Sequence, residues 1–108
     1  MLAPVSTALR SVHDNVTRLD IQDVFAEPVP ISVYPDYYET IKKPMDLSTM
    51  SSKINNFEYI TFDEYLSDIN LIISNCHKYN PYTSYYSRYA YRFKHAIQPI
   101  LDRAKLSI

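Results

Sequence analysis

The residues of this chain that could do chemistry are its tyrosines and an asparagine that some of them surround. The chain has 11 tyrosines in 108 residues. One group lies in the stretch 20–45 and consists of Tyr34, Tyr37 and Tyr38. A second group surrounds Asn80 and consists of Tyr79, Tyr82, Tyr85 and Tyr86. Tyrosine suits a recess that is apolar along its walls and polar at selected points. Such a pocket, with one primary amide at its rim, would prefer a neutral, elongated ligand with a carbonyl acceptor.

Asn80 also has a purely structural interpretation. Asparagine is a common helix-terminating residue, and Pro81 directly after it restricts the backbone, so a helix should end near Tyr79 or Asn80. Without further information, this terminating role is the simpler explanation of Asn80.

The groups that could support catalysis or bind a metal are not arranged for either task. Cys76 and His77 are adjacent, so on a helix they point about 100° apart and cannot form a nucleophile–base pair. The three histidines, at positions 13, 77 and 95, have no metal-ligand spacing. Asp68 is expected on the exposed face of a helix. The sequence therefore predicts a protein that is not an enzyme and that uses no metal and no cofactor.

The complete absence of glycine narrows the fold and the function. At an average usage of about 7%, a chain of this length would have about seven or eight glycines. Phosphate-binding loops, dinucleotide fingerprints and tight hairpin turns depend on glycine, so nucleotide enzymes and all-β folds are disfavoured. No apolar run approaches the ~20 residues that span a bilayer. The single cysteine cannot form an internal disulfide, which fits a reducing compartment.

The C-terminal segment is locally basic, although the whole chain has a net charge of −1. Residues 84–108 carry five basic side chains against one acidic side chain, Asp102. A solvated helix face is the simpler interpretation. A phosphate-binding surface made by Arg88, Arg92 and Lys94 is the alternative.

Hydrophobic spacing predicts the elements that must position these residues. Spacings of three or four predict an amphipathic first helix, whose apolar face holds Leu2, Val5, Leu9, Val12, Val16 and Leu19. The stretch 20–45 loses this periodicity and holds four prolines, yet it is rich in apolar and aromatic residues. Such a composition indicates a structured binding loop rather than a flexible linker.

Three further helices are predicted after this loop. Asp46 can cap a short helix over roughly 46–55, with an inward face of Leu47, Met50 and Ile54. Thr61 and Glu64 form a capping box for a long helix. Ser84 can cap a last helix, whose inward face would hold Tyr86, Tyr89, Ala90, Phe93, Ile97, Ile100, Leu101 and Ala104.

Three sequence blocks, taken in order, resemble the signature of a bromodomain. They are Pro35-Asp36-Tyr37-Tyr38, Ile41-Lys42-Lys43-Pro44-Met45-Asp46-Leu47 and Asn75-Cys76-His77-Lys78-Tyr79-Asn80-Pro81. The resemblance covers essentially the whole chain. It implies an all-α, left-handed four-helix bundle with a long structured loop between the first and second helices, as one domain over 1–108. It also implies a monomeric nuclear module that reads acetylated lysine on histone tails for chromatin targeting.

The resemblance implies a role for each site residue. Asn80 would donate a side-chain N–H to the acetyl carbonyl, and Tyr37 would contact the same oxygen through a bridging water. Phe25 would lie at the pocket floor beside the methyl group, and Val29 would line one wall. The other expected acetyl-lysine-binding residues are Tyr34 and Tyr79 at the mouth, Tyr86 at the gatekeeper position, Val24 and Cys76.

Two features depart from the commonest bromodomain pattern. The usual Trp-Pro-Phe shelf is replaced by Asp23-Val24-Phe25, which keeps only the floor phenylalanine. The replaced shelf and the short stretch from Pro28 to Pro35 resemble the subgroup found in AAA-ATPase chromatin proteins. The second departure is Tyr86, which is large for its position and should narrow the pocket. One acetyl-lysine is therefore expected to bind in preference to a closely spaced pair.

Two other functions stay open. The altered shelf at Asp23 motivates a helical protein-interaction module with a vestigial pocket. The basic last helix motivates nucleic-acid binding, either alone or as an auxiliary DNA contact through Arg88, Arg92 and Lys94.

Overall fold

The chain forms a four-helix bundle with a short extra helix. The computed structural model describes residues 2–108, with side chains from Val5 onward. The helices in this range are α1 (Leu2–Leu19), α2 (Tyr37–Thr40), α3 (Leu47–Asn55), α4 (Phe62–Tyr79) and α5 (Tyr85–Ser107), and no strand occurs within it. Helix α4 packs on α5, and α1 contacts α3, α4 and α5. The predicted all-α bundle is confirmed, and α2 is an addition inside the long connection.

The helices begin where the sequence predicts. Asp46 caps α3 by accepting a hydrogen bond from an amide of the first turn at 2.9 Å. Thr61 and Glu64 form both halves of the predicted capping box at the start of α4. Ser84 caps α5 in the same way, at 3.2 Å. These side chains satisfy amide groups that a helix start otherwise leaves unpaired.

The predicted apolar faces supply most of the core, with two corrections. The buried members of these faces are Leu9, Val16, Leu47, Met50, Ile54, Ala90, Phe93, Ile97, Leu101 and Ala104. Leu19 is 37% exposed, because α1 ends there. Tyr86 is 48% exposed, because it lies at the margin of a cavity rather than in the core. The side chain of Leu2 lies outside the described residues.

A buried histidine joins three helices of the bundle. His13 of α1 is 2% exposed. Its Nε2 lies 2.9 Å from the backbone oxygen of Leu47, which can only accept, so Nε2 carries the proton. Its Nδ1 then accepts from the Tyr65 hydroxyl at 2.8 Å. Burial, the largest influence, lowers the pKa of His13 below its ordinary value.

Asp68 is not on a solvated helix face, contrary to the expectation. Its side chain is only 13% exposed and forms an ion pair with Lys53 Nζ at 2.6 Å. The same oxygen, Oδ2, accepts a hydrogen bond from the Tyr59 hydroxyl at 2.6 Å. We call Asp68 and Tyr59 the distal pair. Together with Lys53 of α3, this pair ties the α3–α4 connection to α4.

None of the helices in the described part of the chain has the length and apolar character needed to cross a lipid bilayer.

Candidate functional site

A cavity of about 410 Å³ opens between the long connection and the junction of α4 with α5. Its lining includes all nine predicted site residues, which are Val24, Phe25, Val29, Tyr34, Tyr37, Cys76, Tyr79, Asn80 and Tyr86. Asp23 of the altered shelf also lines the cavity. The sequence assigned no role there to the remaining lining residues, which are Gln22, Glu27, Pro28, Pro30, Met45, Asp46 and Ile72. The fold therefore brings the predicted residues of the loop and of the two helix ends together in one place.

Asn80 is the residue that terminates α4, but its backbone does not require an asparagine. Its φ of −101° and ψ of 141° are extended, whereas the helix-terminating role of asparagine depends on the left-handed region. Its side-chain Nδ2 donates to the backbone oxygen of Cys76 at 2.9 Å, with a longer contact of 3.6 Å to Cys76 Sγ. The first contact orients the amide, and a primary amide has a second N–H for a ligand.

Tyr37 presents a hydroxyl to the same cavity. Its ring is 8% exposed at the start of α2 and makes edge contacts with the rings of Tyr38 and Tyr79. Within residues 2–108 the Tyr37 hydroxyl has no hydrogen-bond partner. Burial raises the pKa of Tyr37, so the hydroxyl keeps its proton at neutral pH and can donate.

The wall at residues 23–25 is held by a buried carboxylate that the sequence did not single out. Asp20, 2% exposed, accepts hydrogen bonds from the amides of Val24 at 3.0 Å and Phe25 at 2.8 Å. It also accepts from the Tyr89 hydroxyl. Burial, followed by this bond to Asp20, raises the pKa of Tyr89 to about 12. An aspartate just after a helix looks like any solvated acid, so the sequence carried no signal for this role.

Phe25 is held in place by both its ring and its backbone carbonyl. Its ring packs against Tyr89 and Phe93, with centroids 5.7 and 5.2 Å away. Its carbonyl accepts from the amide of Leu47 at 2.8 Å, at the start of α3. The floor of the cavity is therefore fixed to α5 and α3 at once.

The opposite wall is more exposed. Val29 is held at its carbonyl by the Tyr38 hydroxyl. Tyr34 is 45% exposed at the mouth. The Tyr79 hydroxyl donates to Asp36 at 2.9 Å and so links the end of α4 to this part of the connection.

Tyr86 and Cys76 complete the helix side of the cavity. Tyr86 stacks edge-on against Tyr85, with ring centroids 5.5 Å apart. The thiol of Cys76 donates to the Tyr86 backbone oxygen at 3.3 Å. Burial raises the pKa of Cys76, which keeps the thiol neutral and unsuited to act as a nucleophile.

A second groove, of about 460 Å³, lies on the other side of the α4–α5 junction. Its lining residues are His77, Tyr82, Thr83, Ser87, Arg88, Tyr91 and Arg92. Lys94 is not among them, because it lies about 200° around the helix axis from Arg92. Two of the three predicted cationic residues, Arg88 and Arg92, therefore line this groove. Over residues 2–108, no group of three or more histidine, cysteine or acidic residues is placed to hold a metal ion.

Comparison with known proteins gives several matches. A family model for the bromodomain matches residues 9–104. The chain is 41% identical over 104 residues to Bromodomain and PHD finger-containing protein 3 of Mus musculus, covering 96% of this chain and 9% of that protein. It is 49% identical over 59 residues to ATPase family AAA domain-containing protein 2B of Homo sapiens, covering 55% and 4%. It is 43% identical over 84 residues to Histone acetyltransferase GCN5 of Debaryomyces hansenii, covering 77% and 18%.

These matches confirm the resemblance drawn from the three sequence blocks, including the AAA-ATPase relatives. The chain spans less than a fifth of each of these relatives, and the match to the acetyltransferase covers 18% of that enzyme. The family match begins within α1, ends within α5 and includes the whole lining of the cavity. This chain belongs to the bromodomain family, whose members are binding modules for acetylated histone peptides.

Proposed function

We propose that the cavity binds the acetylated lysine side chain of a histone tail, with Asn80 donating a hydrogen bond to the acetyl carbonyl. The observation that carries this proposal is the Asn80 amide, oriented by Cys76 at the rim of a cavity with apolar walls. The unpartnered Tyr37 hydroxyl supports a second contact to the same oxygen through a bridging water. The acetyl methyl then packs on Phe25, between Val24 and Val29.

Acetylation decides whether this cavity is a favourable environment. An unmodified lysine ammonium offers only donors, so it has no acceptor for the Asn80 N–H. Burying that charge without a partner would also cost several kcal/mol. Acetylation removes the charge and supplies a carbonyl oxygen, so one modification changes the sign of the interaction. Discrimination is large because the wrong ligand leaves buried polar groups unpaired.

The affinity for one acetylated side chain is modest. Burying about 120 Å² of acetyl group and stem at about 25 cal/mol/Å² contributes about 3 kcal/mol. One hydrogen bond adds about 1 kcal/mol, and ordering of the peptide opposes binding. The expected Kd lies in the high-micromolar range or above. Tight targeting in the cell then depends on linkage to other binding modules.

Calorimetric titration of a histone-tail peptide in acetylated and unmodified form tests the proposal. The intact chain should bind the acetylated peptide and not its unmodified form. Asn80→Ala should weaken binding at least about tenfold, because the buried carbonyl then has no donor. Asn70→Ala, which removes an exposed asparagine from the same helix, is the matched control. Equal binding of the two peptides would reject the reader function and favour a protein-interaction module with a vestigial pocket.

A second candidate function is DNA contact through the groove that Arg88 and Arg92 line. Guanidinium groups beside hydroxyl-bearing side chains suit phosphate. Short duplex DNA should then bind weakly, with an affinity that falls as salt rises. Arg88→Gln with Arg92→Gln should remove that binding.

We further propose that this module is a monomer, consists of one domain and lies in the nucleus. The histone acetyltransferase among the relatives supports the nuclear location.

A further inference from the structure

We infer that Asp20 is a positioning residue of the acetyl-lysine cavity, acting with Tyr89 to hold the wall at Asp23-Val24-Phe25 in its binding shape. The inference rests on the proposed function of the cavity.

The contacts of Asp20 are directed almost entirely at the cavity wall. Oδ1 accepts from the amide of Val24 at 3.0 Å, and Oδ2 accepts from the amide of Phe25 at 2.8 Å. The Asp20 backbone oxygen accepts from the amide of Asp23 at 3.0 Å. One residue therefore binds three consecutive amides of the segment that lines the cavity.

Tyr89 extends this arrangement to α5. Its hydroxyl donates to Asp20 Oδ1 and accepts from the amide of Gln22 at 3.1 Å. Its ring packs against Phe25, with centroids 5.7 Å apart. The tyrosine thus fixes both the carboxylate and the floor residue relative to the helix that carries Tyr86.

The local backbone needs this support. Asp23 has a φ of 53°, in the left-handed region, and the segment has no glycine to reach that region at low cost. The amides of Val24 and Phe25 belong to no helix, so without Asp20 they would be left unpaired beside an apolar cavity. A different loop conformation would relieve both penalties and would move the wall.

Asp20 has no cationic partner among the described residues, where the ion pairs are Arg10–Asp14 and Lys53–Asp68. A buried carboxylate without a cation is retained only when its hydrogen bonds replace those of water. Because those bonds come mainly from the cavity wall, Asp20 acts on the shape of the binding site more than on the joining of helices.

Two variants and a matched control test the inference. Tyr89→Phe removes one bond to the carboxylate and keeps the ring, whereas Asp20→Asn turns an N–H group toward one of the donors. Tyr59→Phe makes the same chemical change in the distal pair, which does not line the cavity. Each protein is titrated with the acetylated peptide in a calorimeter, well below its measured Tm. Amide NMR shifts of Val24 and Phe25 are recorded in parallel.

We expect Tyr89→Phe to raise the Kd about fivefold and Asp20→Asn about tenfold or more. Both should shift the two wall amides, and Tyr59→Phe should lower the Tm with a Kd within about twofold of wild type. Unchanged Kd values for Tyr89→Phe and Asp20→Asn, with wild type still selective for acetylated peptide, would overturn the inference alone. If Asp20→Asn does not fold, Tyr89→Phe decides. Loss of acetyl selectivity in wild type would overturn the proposed function, and this inference with it.

Discussion

Two aspartate–tyrosine pairs lie at different ends of this bundle and do different work. The pair of Asp20 and Tyr89 stands beside the cavity, and the distal pair of Asp68 and Tyr59 stands near the start of α4. Along α4, Asp68 is about 18 Å from Asn80. In both pairs a tyrosine hydroxyl donates to a carboxylate that is largely shielded from water.

The difference lies in the remaining partners of each carboxylate. Asp68 has a cationic partner, Lys53 Nζ at 2.6 Å, and this ion pair joins α3 to α4. Asp20 has no described cation and accepts instead from amides of the loop that lines the cavity. The same polar contact thus stabilises the bundle at one end and shapes a binding surface at the other. Variants should separate these two effects.

The largest effect on stability is expected from breaking the distal pair. Asp68→Ala leaves Lys53 and the Tyr59 hydroxyl without their partner, which should lower the free energy of unfolding by about 2–3 kcal/mol. Urea denaturation measures this change. Asp14→Ala, which breaks an exposed ion pair on α1, is the control and should cost no more than about 0.5 kcal/mol. The Kd of Asp68→Ala for acetylated peptide should stay within about twofold of wild type. A loss of affinity as large as that of Asp20→Asn would contradict the different roles assigned to the two pairs.

Lowering the pH should reduce the stability of the bundle because His13 is buried. Its folded-state pKa lies below the ordinary value of 6.5, so the unfolded chain takes up the proton first. The contribution of His13 to the free energy of unfolding is therefore fully present above pH 6.5. It is lost as the pH falls from there through the folded-state pKa, by at most about 1.4 kcal/mol per pH unit.

Urea midpoints at pH 7.5 and 5.5 test this prediction against His13→Gln. The variant should be less stable than wild type at pH 7.5 and should lose less on acidification. An equal acid loss in both proteins would assign the effect to other groups.

The smallest effect concerns the width of the cavity. Tyr86 lies at its margin, so a doubly acetylated peptide with closely spaced marks should bind wild type no more tightly than a singly acetylated one. Tyr86→Val should improve binding of the double mark about two- to threefold. Tyr91→Val, which shortens an exposed tyrosine of the same helix outside this cavity, is the control. Tighter binding of the double mark to wild type would contradict the narrowing role of Tyr86.

The sequence predicted the bundle and its caps because these depend on local rules. Asp46, Thr61 and Ser84 are capping residues by type and position. The cavity residues were predictable for a different reason, since three blocks of sequence carry the family signature. Neither rule applies to Asp20 or Asp68. Their roles depend on Tyr89 and Tyr59, which lie 69 and 9 residues away along the chain.

The loop connection also shows what spacing cannot reveal. Its prolines and aromatic residues indicated a structured loop. Two features of that loop, helix α2 and the left-handed backbone conformation of Asp23, depend on tertiary contacts. The same holds for His13, whose burial is set by Leu47 and Tyr65 on two other helices.

Amide NMR spectra of the intact chain with acetylated and with unmodified peptide test the central claim most directly. The acetylated peptide should shift the amides of Val24, Phe25, Tyr37 and Asn80 and leave those of Tyr59 and Asp68 in place. The unmodified peptide should cause none of these shifts. Equal shifts with both peptides, or shifts centred on the distal pair, would contradict the assignment of this cavity to acetylated lysine.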